Sequence, residues 1–366
     1  MVRLARELRC LTQTEAARRA GSTQARLSRI ESGQVLPDDA ETEQLAAALD
    51  VPARFLLEPG VPAAAPLFRK RAIRSARRMS AIQARLNTAV LIAQRLLDAG
   101  VDLEAPQRFP EPGEFAPDEP ESAAAALRRD WRLPAGRVDD VTRMIESAAG
   151  LVLRVDFGTT DAIAAFITTP SDGRLWFLVN SQETAGDRIR LSLSHELGHA
   201  VLHRLLPAAS EAEVEHQAFR FAAALLLPKE SFDTAVPFDA LTLNRARELK
   251  RQYGVSIQAI VRAARDRDRI SQQRYTSLYK QLSARQWRIH EPDPVAIETP
   301  QLWPEVVEVH RVDHHYTDNE LAAIGRVPVG VLNQLFPGQF TPPRPTLRTV
   351  RSIDSDRPRT APGGTW

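Results

Sequence analysis

His195-Glu196-Leu197-Gly198-His199 is the stretch from which the rest of this chain is read. On a helix, two histidines four residues apart stand one turn apart on the same face, so their imidazoles can converge on one metal ion. Glu196 lies beside them. In an H-E-x-x-H helix the histidines bind Zn²⁺ and the glutamate serves as general base toward a water that the ion activates. With eight histidines in 366 residues, composition alone would produce this pattern in about one such chain in a hundred.

Working outward, Asp187 to Leu206 reads as one helix, with Ile189, Leu193, Leu197, Val201 and Leu205 in an apolar stripe and Pro207 as its stop. Two histidines leave a zinc site short of a third protein ligand, often a carboxylate from a following helix. Ser210-Glu211-Ala212-Glu213 reads as a capping box. The helix it opens runs through Val214, Glu215, Ala218, Phe221, Ala222, Leu225 and Leu226 to Pro228. Glu215 is the candidate third ligand, and small Ala218 and Ala222 permit close approach to the first helix. The competing reading makes Glu215 a solvated carboxylate like Glu211 and Glu213.

Leu193-Ser-His-Glu-Leu-Gly-His-Ala-Val-Leu-His203, followed by Glu215-His-Gln-Ala-Phe-Arg-Phe-Ala-Ala-Ala-Leu-Leu-Leu-Pro228, resembles the ImmA/IrrE family of zinc peptidases. That family's second motif is approximately E-x-x-A-N-x-F-A-x-x-L-L-x-P. Glu215, Ala218, Phe221, Ala222, Leu225, Leu226 and Pro228 match it, whereas Phe219 replaces the usual Asn and Ala224 a frequent Glu. The resemblance implies a mostly helical, zincin-like metallopeptidase domain with a small sheet. It also implies zinc on His195, His199 and Glu215, Glu196 as the catalytic base, and a protein substrate, since family members cut partner repressors.

Residues 1–60 read as five short helices, Arg3–Arg9, Thr14–Arg19, Thr23–Glu31, Glu41–Asp50 and Ala53–Leu57, punctuated by Gly21 and Gly33. Only Met1 and Val2 precede Arg3, so the first helix is expected to be a turn short. Leu11-Thr-Gln-Thr-Glu-Ala-Ala-Arg-Arg-Ala-Gly-Ser-Thr-Gln-Ala-Arg-Leu-Ser-Arg-Ile-Glu-Ser-Gly33 resembles the repressor-type helix-turn-helix of the XRE family. Ala16, Ala17, Ala20, Leu27 and Ile30 would form the core between two helices, with Gly21 in the turn. Gln24, Ala25, Arg26 and Arg29 are left outward on a helix whose N-terminal residues would meet base edges in the major groove. Arg26 suits guanine and Gln24 adenine, while Gln13 suits a phosphate. The candidate DNA contacts are thus Gln13, Thr23, Gln24, Arg26 and Arg29, and the expected partner is double-stranded operator DNA. A helical bundle for protein contacts is the alternative; charge does not exclude it, but the turn spacing and the outward polar set coincide as DNA binding requires.

At 43% hydrophobic and 26% charged residues the composition is that of a soluble globular protein with room for two or three domains. No apolar run is long enough to span a bilayer and no signal peptide is evident, so no membrane partner and a cytoplasmic location are expected. A single cysteine, Cys10, excludes an internal disulfide and a thiolate zinc site. The net charge of +2 conceals a basic run. Arg69, Lys70, Arg71, Arg74, Arg77, Arg78, Arg85 and Arg95 occur with no acidic residue between Gly60 and Leu97. A helix over Ile73–Leu97 could lay this run along phosphates, or present a solvated or acid-paired face.

Val61–Pro66 and Pro106–Pro120 read as linkers, with the DNA-binding half expected to fold on its own. Helices are expected at Ser122–Trp131 and Val138–Ala149, then strands at Leu151–Phe157, Ala162–Thr168 and Leu175–Asn180, with Ser171-Asp-Gly173 as the last turn. An exposed strand edge could hold an extended substrate. Helices Leu241–Tyr253, Ile257–Arg265 and Ser271–Ser283 precede an irregular, Pro-interrupted region that holds His310, His314 and His315. His314-His315 makes a poor metal pair because adjacent side chains diverge. His203 extends the four-residue histidine spacing and is expected behind the ligands or in packing. His216, Tyr253 and Tyr275 all remain open as oxyanion partners.

The expected architecture is α+β: an all-α helix-turn-helix domain (1–60), a linker and basic helix (61–116), the peptidase domain (117–265), a helical C-terminal region (266–340) and a disordered tail (341–366). A homodimer is compatible with this layout. The expected function is a DNA-binding regulator whose zinc endopeptidase cuts a partner repressor or its own DNA-binding half. The alternative is a repressor or antitoxin in which the zinc fold is a sensor or scaffold.

Overall fold

The computed structural model describes residues 1–58, 75–101, 103, 105–169, 172–204 and 210–340. The linker Val61–Pro66, the basic residues from Arg69 to Arg74, the helix stop at Pro207 and the tail 341–366 lie outside the described residues.

Five short helices open the chain: α1 (Val2–Leu8), α2 (Gln13–Arg19), α3 (Gln24–Glu31), α4 (Asp39–Leu49) and α5 (Ala53–Leu56), each boundary within two residues of expectation. Their starts follow from capping. Thr12 with Glu15 and Asp38 with Glu41 form capping boxes, and the Thr23 hydroxyl accepts from the Arg26 amide. Gly21 takes φ +64° in the turn between α2 and α3, a left-handed conformation that glycine adopts without a Cβ penalty. Ala5, Ala16, Leu27, Leu49 and Phe55 are fully buried between these helices.

Helix α6 (Ala76–Asp98) packs on α1 and buries Leu86, Ala89, Ile92, Ala93 and Leu96 completely. Three of its arginines are acid-paired: Arg77 with Glu15, Arg85 with Asp156, and Arg95 with Glu58 at 2.8 Å. The expected separator 106–120 is instead pinned to the protein surface. Phe109 packs edge-on to Trp131 at 5.7 Å, and the Trp131 indole donates to the Arg108 carbonyl. Aromatic burial outweighs the Pro- and Glu-rich composition from which a linker was read. Helix α7 (Pro120–Asp130) follows. Helix α8 (Val141–Glu146) is shorter than expected at both ends, because Asp140 caps it and Ala149 takes φ +58°.

Strands β1 (Leu151–Val155), β2 (Ala164–Thr168) and β3 (Leu175–Asn180) form one sheet in the order β1-β3-β2, with β1 parallel and β2 antiparallel to β3. The sheet is a partition. Alternate residues point to opposite faces: Leu151, Leu153, Ile167, Trp176 and Leu178 enter one core, and Val152, Phe166, Phe177 and Val179 the other. Apolar residues at consecutive positions are what a strand buried on both faces requires.

Beyond the sheet come α9 (Gly186–Leu202), α10 (Glu211–Leu226), α11 (Lys229–Ala235), α12 (Leu243–Tyr253), α13 (Ile257–Asp266) and α14 (Gln272–Ala284). These helices and α7 and α8 supply the second core. The region expected to be irregular contains α15 (Leu302–Glu308), a π-helical turn (Val309–Asp313), α16 (Asp318–Ile324) and α17 (Val329–Leu335). The Thr317/Glu320 capping box that starts α16 was a legible signal. Trp303, Leu321, Leu332 and Phe336 join the first core, which also contains α1–α6 and one face of the sheet. Helices α1–α6, one face of the sheet and the C-terminal helices thus share a continuous core. No helix among the described residues is long and apolar enough to cross a membrane.

Candidate metal centre and nucleic-acid face

Helix α9 carries His195, Glu196 and His199, and its first turn is anchored by buried charges. Lys250 of α12 donates to Asp187 at 2.6 Å and to Glu291 at 3.0 Å, while Arg190 bonds Glu298 and the Val138 carbonyl. Glu298 in turn accepts from the amides of Val141 and Thr142, so the segment after α14 straps α8, α9 and α12 together. Each buried charge has an opposite partner and further hydrogen bonds, as burial demands. α9 ends at Leu202, short of the expected Leu206, with His203 leaving helical geometry at φ −122°.

The two metal helices approach closely because both are small where they touch. A Cβ on Gly198 would lie 3.0 Å from the Ala218 carbonyl oxygen and 3.1 Å from its Cα. That contact delivers Glu215 to the histidines. His195 Nε2 and His199 Nε2 are 3.1 Å apart, and the Glu215 oxygens lie 3.5 Å and 3.4 Å from them. Three donors each 2.0–2.1 Å from a tetrahedral zinc ion would stand about 3.3 Å from one another. The observed triangle fits that requirement before any ion is placed.

Electrostatics agree. Burial lowers the His199 imidazole below its ordinary value, favouring the neutral ring a metal needs. Burial on its own would raise the Glu215 carboxyl, but hydrogen bonding to His195 and His199 outweighs it and holds Glu215 below the usual carboxylate range. Two imidazoles and a carboxylate form a donor set suited to zinc. Behind them His199 Nδ1 meets His203 Nδ1 at 3.2 Å, and His203 Nε2 meets Gln217 Oε1 at 2.9 Å.

His195 and Glu215 open onto a cleft of about 750 Å³. Its walls are Asp161 to Ala164 at the start of outer strand β2, Leu191, His195 and Glu196 of α9, Glu215, His216 and Phe219 of α10, and Arg262 of α13. Glu196 thus lines the same space as His195 and Glu215, with His199 fully buried behind them. Phe219, at the motif's Asn position, stacks edge-on to His195 at 6.4 Å and makes that wall apolar. Of the three oxyanion candidates only His216 lines the cleft; Tyr253 is buried in the second core and Tyr275 packs on Tyr279 at 4.6 Å. Sequence reasoning missed Asp161, Ile163, Leu191 and Arg262, which come from three separate stretches with no shared motif. In the C-terminal region His314 pairs with His310, Nδ1 to Nδ1 at 3.1 Å, rather than with His315.

In the N-terminal helices Gln24, Ala25 and Arg29 are exposed on α3. Gln13, expected to meet a phosphate, is internally engaged: Gln24 Nε2 donates to Gln13 Oε1 at 2.7 Å, and Gln13 Nε2 donates to Glu31 at 2.8 Å. Arg26 makes a bidentate bond to Glu41, at 2.9 and 2.6 Å. Thr23 is a cap, its hydroxyl oxygen occupied by the Arg26 amide.

A family model described as an IrrE N-terminal-like domain matches residues 152–265, and one described as Helix-turn-helix matches residues 2–56. No curated protein matches the chain.

Proposed function

From a chain that joins an XRE-type helix-turn-helix DNA-binding domain to an ImmA/IrrE-like peptidase domain, we propose a cytoplasmic transcriptional regulator with zinc endopeptidase activity. It binds operator DNA and cleaves a partner repressor or its own DNA-binding half. His195, His199 and Glu215 would hold the ion. Bound zinc would supply Lewis acidity, activating a water and polarising the scissile carbonyl. Glu196 accepts the proton as that water attacks and can return it to the departing amine. The outer edge of β2, on the cleft wall, offers backbone groups to an extended peptide. His216, which lines the cleft, is the candidate partner for the developing oxyanion.

The observation that carries this reading is Glu196 lining the same open cleft as His195 and Glu215, two of the three converging donors. A zinc site that only braces a fold is closed and has no use for a base. Glu196→Gln tests it, because Gln retains the size but cannot take the proton, at a cost on the order of 10² to 10⁴ in rate. Zinc content and folding should persist while cleavage of neighbouring repressors, followed by mass spectrometry, disappears. Target-gene output under the inducing stress should then stay off in the Glu196→Gln strain. Indistinguishable induction in the two strains would favour a sensor or scaffold.

A further inference from the structure

We infer that Gln217, backed by Glu213, sets which ring nitrogen of His199 carries the proton and is thereby a positioning residue for the metal centre. The inference rests on the zinc reading above. The polarity of the chain of bonds follows from its far end. A carboxylate only accepts, so the contact between Glu213 Oε1 and Gln217 Nε2 at 3.2 Å is donated by the amide NH₂. Gln217 must then present its carbonyl oxygen to His203, and His203 Nε2 must be the donor across 2.9 Å. A neutral imidazole has one donor and one acceptor nitrogen. His203 Nδ1 is therefore the acceptor, and across 3.2 Å it takes its hydrogen bond from His199 Nδ1–H. That leaves the lone pair of His199 on Nε2, the atom 3.1 Å from His195 Nε2 and 3.4 Å from Glu215.

Each link is structurally placed for the task. Gln217 is 6% exposed and lies two residues beyond Glu215 on α10, one turn after Glu213. His203 sits where α9 ends, which frees its ring to reach across to α10. No such chain serves the other histidine: His195 Nδ1 is buried with no hydrogen-bond partner among the described residues. The two imidazole ligands are thus unequally prepared. Partners that orient a metal-binding histidine and fix its tautomer typically change metal affinity 10- to 100-fold when removed.

The full chain tests this with Gln217→Leu, which keeps apolar bulk but removes the acceptor, and with the exchange Glu213→Gln/Gln217→Glu, which restores an acceptor facing His203. Long-range ¹H–¹⁵N correlation of the His199 ring in zinc-free protein at neutral pH should show the proton on Nδ1 in wild type. Gln217→Leu should shift it toward Nε2 and weaken zinc binding, measured by chelator competition, by about 10- to 100-fold; the exchange should reverse both effects. A proton on Nε2 in wild type overturns the inference, as does a Gln217→Leu variant equal to wild type in both measurements. Wild type that binds no zinc would sink the metal reading, and the zinc-free tautomer would still decide this one.

Discussion

Glu215→Ala removes the carboxylate from the triangle of donors and leaves His195 and His199 in place, 3.1 Å apart. Four-ligand zinc sites in small domains are worth about 10 to 16 kcal/mol, or about 3 kcal/mol per ligand. At about 1.4 kcal/mol per factor of ten, losing one ligand weakens binding by about two orders of magnitude. Loss of the negative charge opposite a dication pushes the effect further in the same direction. His203→Ala keeps all three donors and reaches the ion only through His199 Nδ1, so its cost is about one order. Fold is not at stake, since the Glu215 side chain is 24% exposed at the cleft wall and is not part of either core. Zinc per chain by elemental analysis should be one for wild type, and competition with a chelator should rank wild type, His203→Ala and Glu215→Ala in falling affinity. Equal losses for the two variants would mean that Glu215 is not the third ligand.

On the DNA face, Gln24→Ala and Arg26→Ala should narrow the gap between operator and random duplex, by about 1 to 3 kcal/mol for a bidentate base contact. Arg26 should fall at the low end, because reaching a base means leaving Glu41; unchanged affinities for both duplexes would remove it from the recognition surface. A pH effect is expected from Glu146, which burial pushes up to about 7 although it accepts the Gln301 and Leu302 amides. Its folded pKa lies above the unfolded one, so its contribution is present at low pH and is lost as pH rises from the usual carboxylate range through about 7. Glu146→Gln should therefore gain on wild type between pH 5 and 8 by about 1 to 2 kcal/mol in denaturant unfolding, after discounting for residual solvent, and parallel pH profiles would refute it.

Much of the metal centre was legible because it is local. His195 and His199 share a face through the helical repeat alone, and Glu215 stands in a motif of its own helix. The five opening helices were legible for the same reason, since Thr12, Thr23 and Asp38 cap within three residues of themselves. The C-terminal helices were under-read where Pro and His dominated, although Thr317 and Glu320 carried the same local signal. The contacts of Phe109 in segment 106–120 were not legible, because composition records the prolines and not the aromatic rings that receive Phe109.

The sequence by itself determined which side chains could do chemistry and which faces of each helix and strand are apolar, because both depend on neighbours within a turn or a pleat. Only the tertiary structure decided which of those faces meet. The partition of alternate strand residues into two cores, and with it the joining of α1–α5 to one face of the sheet in a shared core, required the packing of α6 and the C-terminal helices. Arg26 and Gln13 are bonded internally because Glu41 and Glu31 are brought beside them by helix crossing. His203 and Gln217, 14 residues apart, form one hydrogen-bonded path only because Gly198 lets α10 settle on α9. Distances of about 3 Å between groups on separate helices depend on how those helices rotate and cross, and no periodicity within one helix encodes that.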